Sequence, residues 1–528
     1  MTRSGRPTTL AFNGMVATPH SLATAAGLEA LRAGGTAIDA AIAANAVLTV
    51  AYPDQTSIGG DCFLIYYEAK TGTLHGLNGS GRAPRAADRE ALRAAGHRTM
   101  PRRGIHTVTV PGTIDAWSEA SERFGRLGLD RLLQPAIAYA GDGFPVSPNL
   151  AANLALTDTD DWSPAFKAIY HPGGCVPRRG ERLALPDLAH TLDLIAKVGR
   201  DAFYTGPVAK AIAATSRRLG GWIATDDLAD HRTEWVTPLT TDYRGVTVAE
   251  VPPNSQGLTA LIEINLVEQE AVSPWGTTDH LHPLIEAKKL AFHVRDTRLG
   301  DPSHVEIDVA HLTSKLFARE LWAAYDPNQA LTGMPALAGD TVFLCAVDQD
   351  GNAASLIQSI YLGFGSGVVA EGTGVLLQCR GAYFSLDDDH PNRLEPGKRP
   401  LHTLMPAMLL RDGQLLGPVG SQGGDAQAQV HLQLITHLVD YGMDPQQAIE
   451  APRWVAGGPS DADPRFVALE SRFPDETFVE LAARGHVVHR TDPWDINFGQ
   501  AQMILRDAET GLLQGGADPR ADGAALGY

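Results

Sequence analysis

Cysteine is scarce: the 528-residue chain holds four, Cys62, Cys175, Cys345 and Cys379, and no two of them stand at CxxC spacing. That excludes a disulfide framework and a cysteine-built zinc site, and it sets the expectation of a reducing, cytoplasmic location. Long apolar runs are missing as well. Residues 37–51 come nearest, but they are Ala-rich, shorter than the roughly 20 residues of a membrane span, and closed by Pro53, so a buried helix is predicted. No apolar run of signal-peptide length follows the start Met1-Thr2-Arg3-Ser4-Gly5-Arg6-Pro7. Basic residues are outnumbered 43 to 61, and a net charge of −18 argues against nucleic acid or an anionic membrane surface as partner. No block of like charges occurs, so the acidity is read as a solvated surface.

Familiar catalytic signatures are absent too: there is no Walker loop, HExxH helix, GxSxG elbow or convincing GxGxxG unit. The 18 histidines are dispersed, and His282 and His293, eleven residues apart on one helical segment, are assigned to surface or core rather than to a metal. No metal and no organic cofactor is expected. Assembly into a further oligomer is left open.

What is present is a globular composition, 44% apolar, in a chain long enough for two to four domains or for one large domain of two intertwined halves. Periodicity predicts helices over residues 21–33, with Ser21 as N-cap and Gly34-Gly35 as the stop, and over 37–50. The turn Ile58-Gly59-Gly60-Asp61 leads into strands at 62–67 and 74–78. Helices are predicted at 114–124, 129–142 and 258–270, with a long amphipathic one over 279–298 and a strand pair near 243–250. After residue 341 the pattern turns to strands, with a hairpin turn at Arg411-Asp412-Gly413-Gln414 and a helix over 426–441.

Three short stretches carry chemistry. In Asn78-Gly79-Ser80-Gly81-Arg82-Ala83-Pro84, Arg82 is the only charge, fit either for a ligand carboxylate or for an ordinary ion pair. Gly423 and Gly424 stand at a helix entry, where backbone N–H groups form an oxyanion hole or merely turn the chain. The third is Gly339-Asp340-Thr341-Val342, where a strand follows a Pro-, Gly- and Ala-rich loop over 328–340. Cutting the chain between Asp340 and Thr341 would put a hydroxyl and an α-amine on one residue, and an amine with a reference pKa near about 8 can serve as the base that a threonine nucleophile needs. The plain alternative is a threonine at the start of a β-strand.

Several segments in order decide between these readings. The chain resembles the γ-glutamyltranspeptidase family of N-terminal-nucleophile hydrolases over nearly its whole length. The resemblance rests on Gly14-Met15-Val16-Ala17-Thr18-Pro19-His20, Gly34-Gly35-Thr36-Ala37-Ile38-Asp39-Ala40-Ala41, Ile58-Gly59-Gly60, Val110-Pro111-Gly112, Glu286-Ala287-Lys288-Lys289-Leu290-Ala291-Phe292, Phe364-Gly365-Ser366-Gly367, Pro396-Gly397-Lys398-Arg399-Pro400, Gly423-Gly424 and Glu450-Ala451-Pro452-Arg453. It implies an α+β fold, a four-layer αββα sandwich, and self-cleavage at Asp340-Thr341. The pieces, 1–340 and 341–528, would be a large and a small subunit assembled as one intertwined domain. Thr341 would be the nucleophile, Ser359 its supporting hydroxyl, and Gly423 and Gly424 the oxyanion donors.

The departures from the family bear on substrate. Members that take glutathione hold its α-carboxylate with an arginine and its α-amine with an aspartate. This chain has Ser80 at the arginine position, with Arg82 two places on, and Tyr383 at the aspartate position. Tyr361, Arg380, His402 and Thr403 replace an asparagine, a glutamine and two serines, and Val342 replaces a second threonine. A pocket that loses an acid and gains an arginine disfavours an α-ammonium group. The pattern resembles the oxamate amidohydrolase-like branch, with Asp518-Pro519-Arg520 near the end of the chain. The expected substrate is a small carboxylate-bearing amide gripped by Arg82 or Arg380. Alternatives are a γ-glutamyl transferase or hydrolase, a glutaryl or cephalosporin-type acylase, and an uncleaved, non-catalytic binding protein.

Overall fold

A computed structural model describes residues 5–332, 340–457 and 463–528, Asp340 by its backbone alone. The predicted loop over 328–340 lies for the most part outside the described residues. Two seven-stranded antiparallel sheets form the body. One runs Ala524–Gly527, Met15–Thr18, Asp340–Val347, Ala353–Tyr361, Asp61–Glu68, Thr73–Gly79, Glu234–Val236. The other runs Thr9–Ala11, Leu513–Ala517, Ala501–Arg506, Gln414–Ser421, Ala407–Arg411, Val246–Glu250, Leu239–Tyr243. Each sheet takes strands from both sides of residue 340.

Side-chain alternation explains the packing, because successive residues of a strand face opposite sides. In Asp340–Val347 the odd residues Phe343, Cys345 and Val347 join a core with Met408, Leu415 and Ile504 of the opposing sheet. The even residues Val342, Leu344 and Ala346 pack with Ile38, Ile42 and Val47 of the helix Ala37–Ala51. The same parity holds in Asp61–Glu68, where Phe63 and Ile65 face the other sheet and Cys62 and Leu64 the helices. Thr341, Ser359 and Asp61 are odd-numbered, so they continue the inter-sheet face at the ends of three neighbouring strands. A third core holds the helices Gly257–Val267, Thr278–Arg298 and Gln427–Tyr441 against the second sheet.

One local expectation holds and three are corrected. The hairpin turn is made by Asp412 and Gly413, both at positive φ (52° and 75°), with Arg411 paired to Gln414. The helix predicted over 129–142 is two, Leu129–Leu132 and Gln134–Asp142, since Pro135 cannot continue the first and is accepted in the first turn of the second. The first helix is capped by His20, whose Nδ1 accepts the Leu22 N–H, rather than by Ser21. Thr278–Arg298 is not a half-exposed amphipathic helix. It is buried on most of its circumference, and several of its charged residues meet partners inside the fold, Lys289 with Glu286 and Arg295 with Asp425.

Candidate active site

Thr341 is the second residue of the strand Asp340–Val347 and is 1% exposed. The ladder is irregular beside it: Val342 pairs with Gln358 but Asp340 pairs with Tyr361, so Ser359 and Ile360 together face Thr341. Such a bulge re-aims side chains, here two hydroxyls toward each other. Thr341 Oγ1 donates to Ser359 Oγ at 3.2 Å, and Ser359 Oγ also accepts the Tyr361 N–H at 2.7 Å. Gly60 makes room for this: a Cβ there would stand 2.3 Å from the Ser359 carbonyl oxygen. The Thr341 N–H donates to Gln55 Oε1 at 3.3 Å.

From Ser359 the site widens through aromatic contacts. Tyr361, at φ 79°, lies under the Arg380 guanidinium at 4.3 Å and edge-on to Tyr383 with ring centroids 5.6 Å apart. Arg380 and Tyr383 bound one short 3₁₀ turn. The Tyr383 hydroxyl donates to Asp425, whose carboxylate also accepts from Arg295 Nη1 at 2.5 Å. Asp425 follows Gly424, so this contact path ties Gly423 and Gly424 to Thr341. Gly423 has φ 140° and Gly424 φ 54°, backbone that favours glycine, and they precede the helix Gln427–Tyr441. Among the described residues no protein group accepts from either N–H. Gln256 Nε2 fixes this turn by donating to the Gly424 and Thr403 carbonyls.

Arg380 is the electrostatic centre. It is 1% exposed, and its Nη1 donates to Thr403 Oγ1 at 3.1 Å, while Nε and Nη2 have no hydrogen-bond acceptor among the described residues. Burial pulls its pKa below the usual arginine value. Donors so placed are costly unless an anion meets them. The acid nearest in charge is Asp61, a residue the sequence reading passed over as part of a glycine turn. Its Oδ1 accepts from the Gly81 N–H and Gln378 Nε2, and its Oδ2 lies 3.0 Å from His402 Nε2. The Leu404 N–H donates to His402 Nδ1, which puts the ring proton on Nε2, facing Asp61. Burial raises the Asp61 carboxyl to about 7 and holds His402 neutral, well below its usual range.

The remaining sequence candidates sit elsewhere. Ser80 is locked between Asn78 and Asn254. Arg82 is half-buried, and its guanidinium is bonded to Asp301, Glu234 and the Gly397 carbonyl, the ion-pair alternative. Asp518 and Arg520 belong to a buried charge network with Arg453 and Glu470, apart from Thr341. His282 joins Glu286 and His486 in the one metal-like trio found among the described residues. There His282 Nδ1 and His486 Nε2 bond each other at 2.8 Å, and the Lys289 ammonium already occupies Glu286 Oε1 at 2.7 Å. Glu286 Oε2 and Lys289 Nζ hold the Leu331 backbone, so this cluster anchors the chain leading toward residue 340.

The family model for gamma-glutamyltranspeptidase matches residues 23–528. A glutathione hydrolase-like YwrD proenzyme from Bacillus subtilis is 42% identical over 97% of this chain and 98% of its own length. An oxamate amidohydrolase proenzyme from Klebsiella pneumoniae is 38% identical over 98% of both chains. Among solved structures, a cephalosporin acylase from Bacillus halodurans superposes with a TM-score of 0.94 at 42% identity, covering 100% of this chain and 98% of that one.

Proposed function

From the fact that this chain belongs to the γ-glutamyltranspeptidase family, a family of amide hydrolases and acyltransferases with N-terminal nucleophiles, we propose that it is a self-processing threonine amidohydrolase acting on a small amide that carries a carboxylate. The two facing sheets, with helices on their outer sides, are then the four-layer αββα sandwich. The chain separates at Asp340-Thr341 into subunits of residues 1–340 and 341–528. In maturation the Thr341 hydroxyl attacks the Asp340 carbonyl carbon, the peptide C–N bond breaks, and the hydroxyl proton passes to nitrogen. Water hydrolyses the resulting ester and leaves a free Thr341 amine.

In turnover that amine takes the Oγ1 proton as Oγ1 attacks the substrate amide. The Gly423 and Gly424 N–H groups receive the oxyanion, and the proton goes to the departing nitrogen as the C–N bond breaks. Water, deprotonated by the same amine, then releases the acid from the acyl-Thr341 ester. Ser359 holds the attacking hydroxyl. Arg380 takes the substrate carboxylate through Nε and Nη2, with Tyr361, Tyr383 and Thr403 shaping the pocket and His402 backing it through Asp61.

The buried Arg380 with two unmet donors is the observation that carries the substrate class. A γ-glutamyl substrate needs an acid for its α-amine, and Asp425, the acid beside Tyr383, is already engaged by Arg295 and Tyr383. A glutaryl amide is the second reading, since its distal carboxylate would use the same arginine, and the superposition on a cephalosporin acylase favours it. The test is a panel of oxamate, a glutaryl amide and a γ-glutamyl amide. The highest kcat/KM is expected for oxamate, and a preference for the γ-glutamyl amide would overturn the assignment. A cytoplasmic setting fits the four cysteines, all of them free thiols.

A further inference from the structure

We propose that Gln55 is a positioning residue for the Thr341 nitrogen, holding it through chain cleavage and then orienting it as the catalytic base. This rests on the reading of Thr341 as an N-terminal nucleophile.

The strand environment creates the need for such a residue. On one side of Thr341's strand the neighbour Met15–Thr18 reaches no further than Cys345, and on the other side the bulge interrupts the ladder at Thr341. A side chain, rather than a strand, therefore supplies the acceptor for the Thr341 N–H: Gln55 Oε1 at 3.3 Å. Gln55 itself is 4% exposed, and its Nε2 donates to Asp54 Oδ2 at 2.9 Å. That bond fixes the amide. Flipped, it would set Oε1 against a carboxylate and Nε2 against the Thr341 N–H. Asn153, on the helix Pro148–Ala155, donates to the same Asp54 oxygen at 2.6 Å, and the Asp54 carbonyl accepts the Phe364 N–H at 2.9 Å. One turn thus braces both the Thr341 nitrogen and the loop that follows Tyr361.

The chemistry asks for a neutral acceptor at this point. Once the chain is cut, the nitrogen must hold one N–H bond in a fixed direction and keep its lone pair available near Oγ1, which is itself turned toward Ser359. An amide oxygen does this without a charge. A carboxylate at the same distance would stabilise the ammonium form and disable the base at neutral pH. The titratable groups around this nitrogen are Asp54, with Tyr52, Tyr170 and Asp522 behind it, and Asp61, Tyr361 and Arg380 beyond Ser359. Position 55 is the one that decides whether the amine meets charge directly.

The test compares the native protein with Gln55→Glu and Gln55→Met, each checked first for two chains on a denaturing gel. A native protein that stays uncut would refute the parent reading, and this inference with it. With native protein cut, Gln55→Glu is expected to move the acidic limb of the kcat/KM profile upward by about 1–2 pH units, through an opposite charge beside the amine. Gln55→Met is expected to lower kcat by about 10-fold or more with no upward shift and KM within about twofold, as for loss of an orienting hydrogen bond. A Gln55→Glu profile that superimposes on the native one would overturn the inference, as would native kcat in Gln55→Met. If Gln55→Met fails to mature, Gln55→Glu, which retains an acceptor oxygen, must still do so. An uncut Gln55→Glu with native-like thermal unfolding would also overturn it.

Discussion

The hydroxyls of Thr341 and Ser359 lie 3.2 Å apart across a β-bulge, from residues 18 positions apart in sequence, with the Thr341 hydroxyl as donor. Ser359 is in turn held by the Tyr361 N–H, so the acceptor cannot swing away. This is the smallest unit from which the proposed chemistry can be built, and it makes the first prediction.

Replacing Ser359 with alanine removes one oriented hydrogen bond but neither the nucleophile nor its amine. A fall of about 10-fold in kcat is expected, equivalent to roughly 1–1.5 kcal/mol, with Ser359→Thr close to native. Steady-state kinetics of the three proteins at one pH checks this.

Arg380→Met leaves the pocket without its cation. Losing a buried charge partner costs about 3–5 kcal/mol, so kcat/KM for a carboxylate-bearing amide should fall by at least about 100-fold, while a neutral amide of equal size should lose little. Equal losses on both substrates would mean that Arg380 serves the fold and not the carboxylate.

Asp61 makes stability depend on pH in a defined sense. Its carboxyl is raised from the usual 3.8 to about 7 by burial. Between about 4 and 7 the folded state therefore keeps a proton that the unfolded state releases, and stability falls as pH rises through this window. Asp61→Asn removes that loss, on the order of 4 kcal/mol from a shift of about three units. His402, held neutral when folded, contributes the opposite slope, and because it touches Asp61 at 3.0 Å the difference between the two proteins reads the Asp61–His402 pair. Urea unfolding of both between pH 4 and 8 should show the native curve dropping relative to the variant. Parallel curves would contradict the Asp61 shift.

The network near the C-terminus acts on the fold. Arg520 holds Glu470 through Nε and Nη2 at 2.8 and 2.6 Å and Asp518 through Nη1 at 3.1 Å, with Arg453 on the other side of Asp518 at 2.7 Å. All four side chains are buried. Arg520→Met leaves Glu470 Oε1 unmet while Arg472 still holds Oε2, and should destabilise by about 2–3 kcal/mol. Chemical denaturation measures the loss, and KM of any material that matures should stay near native.

What was legible in the sequence depended on range. The hairpin at Asp412-Gly413 and the strand character that follows residue 341 could be read because turn chemistry and strand propensity act over a few residues. Thr341 and Ser359 are brought together in the sequence by the family resemblance alone, and the hairpin that joins their strands is the physical reason they meet. Asp61 and His402 could not be placed together, because they are 341 positions apart and no local pattern connects them. Gln55 carries no signature at all, since a glutamine after Pro53-Asp54 looks like any turn residue until the strand beside it is known to stop. Thr278–Arg298 looked amphipathic because its charges were counted as solvated, whereas His282 meets His486 across 204 positions and Arg295 meets Asp425 across 130.

The most direct measurement is a denaturing gel with N-terminal sequencing of freshly purified protein beside Thr341→Ala. Two chains are expected, the smaller beginning at Thr341, with only the full 528-residue chain in the variant. One uncut chain in both samples, or a cut at another bond, would contradict Thr341 as the nucleophile.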